Sequence, residues 1–260
     1  MSLTNKSPSE TYKDLLYVDN SNSGIDSTKR DLKSGSGIAS SLSVSDRGLT
    51  VKSNTDNTSA FSVTDSGGTN KLVVDTTNDT VKALGVHVNT QYVRFGIQNV
   101  DSRTFAAGQH HPIPFEFGTI SGLPDFGTGT DPATSFTTAE GTNTRASDIV
   151  PMLWYIHDDI TINEVKCFEG ADAATGDTTR FHLFSYDFTS GSTSCLSNGT
   201  LLARTGIDVS NSGSEQAYLS TLTIDSANVA SGKVVLAFFE SDSINSDYSL
   251  SVNIKYNITG

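Results

Sequence analysis

Imidazoles are the first side chains to test for chemistry, because a general base or a metal ligand at neutral pH is most often a histidine, and this chain has five. His110 and His111 stand side by side ahead of Pro112 in a glycine-rich stretch. Adjacent residues of an extended chain point to opposite sides, so the two are not expected to share one metal ion. His157 and His182 fall inside apolar runs and read as structural residues, while His87 belongs to a thin repeated segment taken up below. Glu240, Asp242, Asn245 and Asp247 lie within one polar turn, and oxygen ligands on a loop suit calcium. Their spacing lacks the glycine and the closing bidentate glutamate of an EF-hand, so a solvated hairpin turn is the preferred reading and calcium the weaker one. Asp158 and Asp159 sit where two strands must reverse and read as turn residues. A pair of carboxylates for sugar hydrolysis is defined by a separation in space that sequence does not give.

Signature loops for other chemistries are missing. Gly35-Ser36-Gly37 lacks the trailing glycine and the amphipathic helix of a dinucleotide site, and neither a P-loop lysine nor a Gly-x-Ser-x-Gly elbow occurs. No catalytic residue and no cofactor is therefore expected, and the chain is read as a non-enzyme. Tyr155, Tyr186, Tyr218, Tyr248 and Tyr256 stand in or near apolar runs, where a phenol serves a core or subunit interface, the favoured reading, or a glycan-binding surface. Cys167 and Cys195 are too few and too distant for a disulfide scaffold or a zinc motif and read as small apolar fillers.

The elements that must position these side chains are short. Between Leu42 and Leu84 the chain repeats one phrase, two apolar residues separated by one, followed by a cluster of Asp, Asn, Ser, Thr and Gly. The pairs are Leu42/Val44, Leu49/Val51, Phe61/Val63 and Leu72/Val74, with a weaker Val81/Ala83. Alternation of this kind marks half-buried strands, and the polar clusters, such as Asp65-Ser66-Gly67-Gly68, are turn chemistry. Strands this short offer about two side chains each to a core, and an isolated hairpin is marginal in water. Such a ladder needs partners. Several identical chains wrapping their apolar edges around one axis would supply them.

The chain of 260 residues and 27.6 kDa divides on this reading into an arm at 1–36, a repeated short-strand stem at 37–95, a Gly/Pro-rich connector with one strand near Ile113–Thr119 at 96–149, and a domain at 150–260. The last is read as seven or eight antiparallel strands, a β-sandwich with a jelly roll as first choice, filled by Trp154, Phe181, Phe184, Phe238 and Phe239. The fold class is all-β. Met1–Leu16 lacks the apolar core of a signal peptide and no stretch reaches the length of a membrane span, so soluble production without membrane insertion is expected. Of the net charge of -12, residues 91–260 carry -11, a surface that disfavours nucleic acid.

Two stretches carry a resemblance. Glu10-Thr11-Tyr12-Lys13-Asp14-Leu15-Leu16-Tyr17-Val18-Asp19-Asn20, with Ala60-Phe61-Ser62-Val63-Thr64-Asp65-Ser66-Gly67-Gly68 and Lys71-Leu72-Val73-Val74-Asp75, resembles the N-terminal region of fibre and decoration proteins of tailed bacteriophages, particularly marine ones. The resemblance covers roughly residues 10–85. It implies a homotrimeric protein on the virion surface, with an N-terminal arm docked on capsid or tail proteins, an intertwined trimeric β stem, and an acidic jelly-roll-like head facing outward for adsorption to the host. Within the arm the expected docking anchors are Tyr12, Leu15, Leu16, Tyr17 and Val18, its clustered apolar side chains. The stem core expected from the ladder is Leu42, Val44, Leu49, Val51, Phe61, Val63, Leu72, Val74 and Val81. The short length favours a head fibre or decoration protein. A tail fibre that binds a host glycan or outer-membrane protein is the alternative, and a glycan-degrading tailspike is less favoured.

Overall fold

The computed structural model describes residues 15–21, 23–97, 106–116, 118, 124–140, 142, 144–172, 174–206, 209–213, 215–243 and 247–259. The chain forms two compact units, Met1–Val88 and Asn89–Gly260.

In the first unit the ladder folds into two antiparallel meanders of four strands each. The first runs β1 (Leu16–Val18), β2 (Arg30–Ser34), β3 (Ala39–Ser45) and β4 (Gly48–Val51), and the second β5 (Phe61–Thr64), β6 (Asn70–Asp75), β7 (Thr80–Ala83) and β8 (Val86–His87). The turn clusters make the reversals. Asp65 accepts hydrogen bonds through Oδ1 from the backbone N–H groups of Gly67 and Thr69, at 3.0 and 2.9 Å, and Gly68 takes the left-handed backbone at φ 82° that closes the turn. The expected arm at 1–36 thus contributes two strands to a sheet. Arg30–Ser34 was not legible as a strand because it carries one apolar residue, Leu32; its pairing with the Ser-rich β3 holds it in place.

The second unit is a sandwich of two sheets. Its strands are β9 (Thr90–Ile97), β10 (His111–Ile113), β11 (Trp154–Tyr155), β12 (Ile160–Asp172), β13 (Thr178–Phe188), β14 (Leu196–Arg204), β15 (Val209–Ser210), β16 (Gln216–Thr221), β17 (Thr223–Ile224), β18 (Asn228–Val229), β19 (Lys233–Ser241) and β20 (Asp247–Ile258). One sheet has the order β16-β12-β20-β9, with β18 beside β12; the other has β10-β19-β13-β14-β17, with β11 beside β19 and β15 beside β13. Counting β9, β10, β12, β13, β14, β16, β19 and β20 as first to eighth, the sheets read first-eighth-third-sixth and second-seventh-fourth-fifth. That order is the jelly-roll wrapping.

This wrapping moves a boundary drawn from sequence. Thr90–Ile97, expected at the end of the stem, pairs along its whole length with β20, and His111–Ile113, expected in the connector, pairs with β19. The sandwich therefore begins near residue 90 instead of 150, because its first two strands close both sheets.

Two cores result. Trp154, Phe181 and Phe239 lie between the sheets with Phe95, Val165, Cys167, Val252 and Ile254. Phe184 and Phe238 face the other way, and with Tyr186, Leu196 and Leu236 they pack beneath Phe126, Phe136, Ile149 and Met152. The segment 124–152 is a cover for the outer face of the larger sheet. A short helix, α1 (Ala146–Ile149), runs into a single 3₁₀ turn at Val150–Met152 and brings the last two of those side chains into place.

Candidate functional site

The two meanders present their apolar residues on one face each. In antiparallel pairing, residues directly opposite share a face and alternate residues along a strand return to it. The register sets Leu42 opposite Val51, Val44 opposite Leu49, Val18 opposite Leu32 and Leu16 opposite Ser34. Arg30 opposite Val44 ties β2 to the same side, so Leu16, Val18, Leu32, Leu42, Val44, Leu49 and Val51 form one stripe. In the second meander Phe61 lies opposite Val74, Val63 opposite Leu72, Val74 opposite Val81, Leu72 opposite Ala83, and Ala83 opposite Val86. All of the residues expected as stem core thus fall on one face or the other of these two sheets.

Within the described part of the first unit these faces stay open or half-open. Among the described residues of the first unit no hydrophobic side chain is buried, and Leu49 is 63% exposed and Phe61 40%. Of the expected docking anchors, Leu15, Leu16 and Tyr17 are exposed and Val18 half-buried, with Leu16–Val18 forming β1; Tyr12 lies outside the described residues.

A second surface lies on the sandwich, on the outer face of the smaller sheet. A groove of about 620 Å³ is lined by Tyr92, Arg94, Glu116, Glu164, Lys166, Asn253 and Lys255, with Val93 and Ile254 at its floor. Two cross-strand rows build it. Glu164, Lys255 and Tyr92 are aligned across β12, β20 and β9, and Lys166, Asn253 and Arg94 form the next row. Tyr92 is 73% exposed. Arg94 donates through Nε to the carbonyl of Glu116, at 3.1 Å, and Glu116 holds a left-handed backbone at φ 67°, a conformation that costs a residue with a side chain on the order of 1 kcal/mol. None of these seven was singled out from sequence. The outward alternation of Glu164 and Lys166 between inward-facing Val165 and Cys167 was a usable signal, but which strands flank β12 was not.

The buried polar groups are structural in arrangement. His182 and His110 are 3% and 0% exposed, with ring centroids 4.9 Å apart at 90°. Nε2 of His182 is 3.3 Å from Asp131 Oδ1, which also accepts from Arg204 at 3.0 Å, and Nε2 of His110 is 2.9 Å from the Gly129 carbonyl. Burial pushes His182 down to about 4, with His110 adding to the effect. His111 bonds the Pro124 carbonyl through Nδ1 and accepts the Ala106 N–H through Nε2. Glu169 faces the interior, accepting from Thr179 at 2.9 Å and Asn211 at 2.8 Å, and burial raises its carboxyl above the usual range.

Of the acidic turn, the two described carboxylates are each engaged with a different partner. Glu240 pairs with Arg180 at 3.5 Å, and Asp242 accepts from the Thr178 N–H and hydroxyl. Asn245 and the side chain of Asp247 lie outside the described residues. Among the described residues no group of three or more His, Cys, Asp or Glu side chains is placed to hold a metal ion. No helix among them is long and apolar enough to cross a membrane.

The structure defines an all-β protein with a jelly-roll sandwich. No family model matches the chain, and no curated protein is significantly similar to it.

Proposed function

We propose that this chain is a homotrimeric structural protein of a tailed bacteriophage particle, a fibre or decoration protein that docks through its N-terminal arm and carries its acidic jelly roll outward for host adsorption. One observation carries the reading: eight short strands form two sheets that each gather their apolar side chains on one face, and among the described residues of that unit no apolar side chain is buried within one chain. Burying such faces contributes roughly 25 cal/mol per Å² of apolar area, and copies of the same chain bring matching stripes. The number three and the particle come from the resemblance of residues 10–85 to phage fibres. Leu15, Leu16, Tyr17 and Val18, with Tyr12, are the docking anchors in this reading, and the stem is stable only as the trimer. Attachment to the head is favoured over the tail, with a tail-mounted receptor binder as the second reading. Catalysis plays no part.

Electron microscopy of particles labelled with antibody against the sandwich tests the assignment. Label on capsid vertices or faces supports a head fibre or decoration protein, label at the tail tip supports the receptor binder, and unlabelled particles from a lysate that contains the protein overturn both.

A further inference from the structure

We propose that the groove on β9, β12 and β20 binds an acidic saccharide, a carboxylated or sulfated sugar chain. The inference deepens the adsorption reading above and rests on it only for where the saccharide would be met.

Charge is the first argument. Residues 89–260 contain eight Lys and Arg against nineteen Asp and Glu. Three of those eight cations, Arg94, Lys166 and Lys255, line this one groove, and among the described residues two carboxylates, Glu116 and Glu164, accompany them. A unit with eight cations against nineteen carboxylates thus gathers three of those cations at one place. Among the other described cations Arg145 pairs with Asp148, Arg180 with Glu240, Arg204 with Asp131 and Lys233 with Asp187, and Arg103 lies outside the described residues. In the groove Lys166 pairs with Glu164 at 3.0 Å on the surface, where such a pair is worth little and exchanges readily, and among the described residues no carboxylate lies in ion-pair range of Lys255.

Shape is the second. Neighbouring strands lie about 4.8 Å apart and alternate residues about 6.7 Å apart, so the two rows of three side chains span roughly 10 by 7 Å, the footprint of one or two sugar rings. Tyr92 gives an exposed flat ring at one corner, and the Asn253 amide stands between the Lys166 and Arg94 cations, so both apolar and hydrogen-bonding faces of a sugar find partners. A protein partner would need a deep apolar socket for an anchor side chain. Here the apolar floor residue Ile254 is buried in the sandwich core and offers none.

Binding of polygalacturonate, dextran sulfate and neutral dextran to the full-length protein, each followed by calorimetry at 50 and 200 mM salt, tests this. The expected result is binding of one or both acidic polymers, weakened about tenfold at the higher salt as two or three ionic contacts are screened, and none of neutral dextran. Lys255→Glu should weaken binding at least tenfold and Tyr92→Ala several-fold, with melting curves and sedimentation unchanged, since both side chains lie at the surface. Polygalacturonate alone identifies a carboxylate ligand, and dextran sulfate alone a sulfate ligand. Equal binding of neutral dextran, binding that survives Lys255→Glu, or no binding by an intact trimer overturns the inference while leaving the trimeric fibre standing. A change of assembly mass with either variant makes the groove a subunit contact and also overturns it. A protein that binds as predicted but sediments as one chain keeps the saccharide site and defeats the trimer instead.

Discussion

Leu49 of β4 lies directly opposite Val44 of β3, and the pair sits on an open apolar face with Leu49 nearly two-thirds in solvent. A cross-strand aliphatic pair is worth a few tenths of a kcal/mol by itself, far less than ordering a seven-residue and a four-residue strand costs. On the proposed reading, a second copy of the chain covers the pair. Leu49→Asp and Phe61→Asp should each abolish the proposed trimer, since a carboxylate buried without a partner costs several kcal/mol. Sedimentation will report single chains, and the near-ultraviolet signal of the aromatic-rich sandwich will persist. A variant that stays trimeric would mean these faces are not the interface.

The cover over the larger sheet depends on one close approach. A methyl group added at Gly199 would lie 2.6 Å from the Tyr186 ring and 2.8 Å from the Thr134 backbone. Both neighbours are fixed, because the Tyr186 hydroxyl donates to the Ala133 carbonyl at 2.8 Å and the Gly199 N–H to the Thr134 carbonyl, also at 2.8 Å. Gly199→Ala should therefore cost about 1–3 kcal/mol of sandwich stability in urea unfolding, the range for overpacking a filled site. Phe238→Ala, which empties the centre of the same core, should cost about 3–5 kcal/mol.

That second core explains what sequence did and did not disclose. Lys233–Ser241 was legible as a strand, but its side chains are apolar without alternation, the mark of a strand buried on both faces. Assigning Phe238 and Phe239 to one core missed this, since Phe239 faces the other sheet and Phe238 faces the cover. The cover itself reads as connector because it is spaced by Gly and Pro, with Phe126, Phe136, Ile149 and Met152 scattered along it. Jelly-roll strands were legible one by one from Ile160 onward. Their first member was not, because β9 continues the ladder's own pattern and finds its partner β20 more than 150 residues later. The apolar pairs of β3 to β7 were legible, since period-two alternation and the Asp65–Gly68 turn fix the register locally, whereas β1, β2 and β8 were not. The groove was hidden for the opposite reason, being assembled from β9, β12 and β20.

Acid should destabilise the sandwich in a defined window. His182 ordinarily titrates near 6.5 and is held down to about 4 in the fold, so between those values the unfolded chain binds a proton that the folded chain refuses. Stability is then full above pH 6.5 and falls as pH drops toward 4, by on the order of 3 kcal/mol from this residue. Urea unfolding at pH 7.0, 5.5 and 4.0 measures the loss, and His182→Gln should flatten the slope.

Both thiols should be silent in the native protein. Cys167 lies between the sheets and Cys195 under the cover, on opposite sides of the larger sheet, and burial raises both above the usual thiol range. Ellman's reagent should count no reactive thiol before denaturation and two after it, with or without prior reduction. A count of zero in denaturant without reductant would instead mean a disulfide.

The central claim is that the first unit has no interior of its own and exists only through copies of itself. Sedimentation equilibrium at micromolar concentration, with hydrogen exchange on the same sample, tests it directly. The account predicts a mass three times 27.6 kDa and slow exchange across Leu42–Leu84 that disappears when the assembly is dissociated. A single-chain mass with those amides still protected would contradict it.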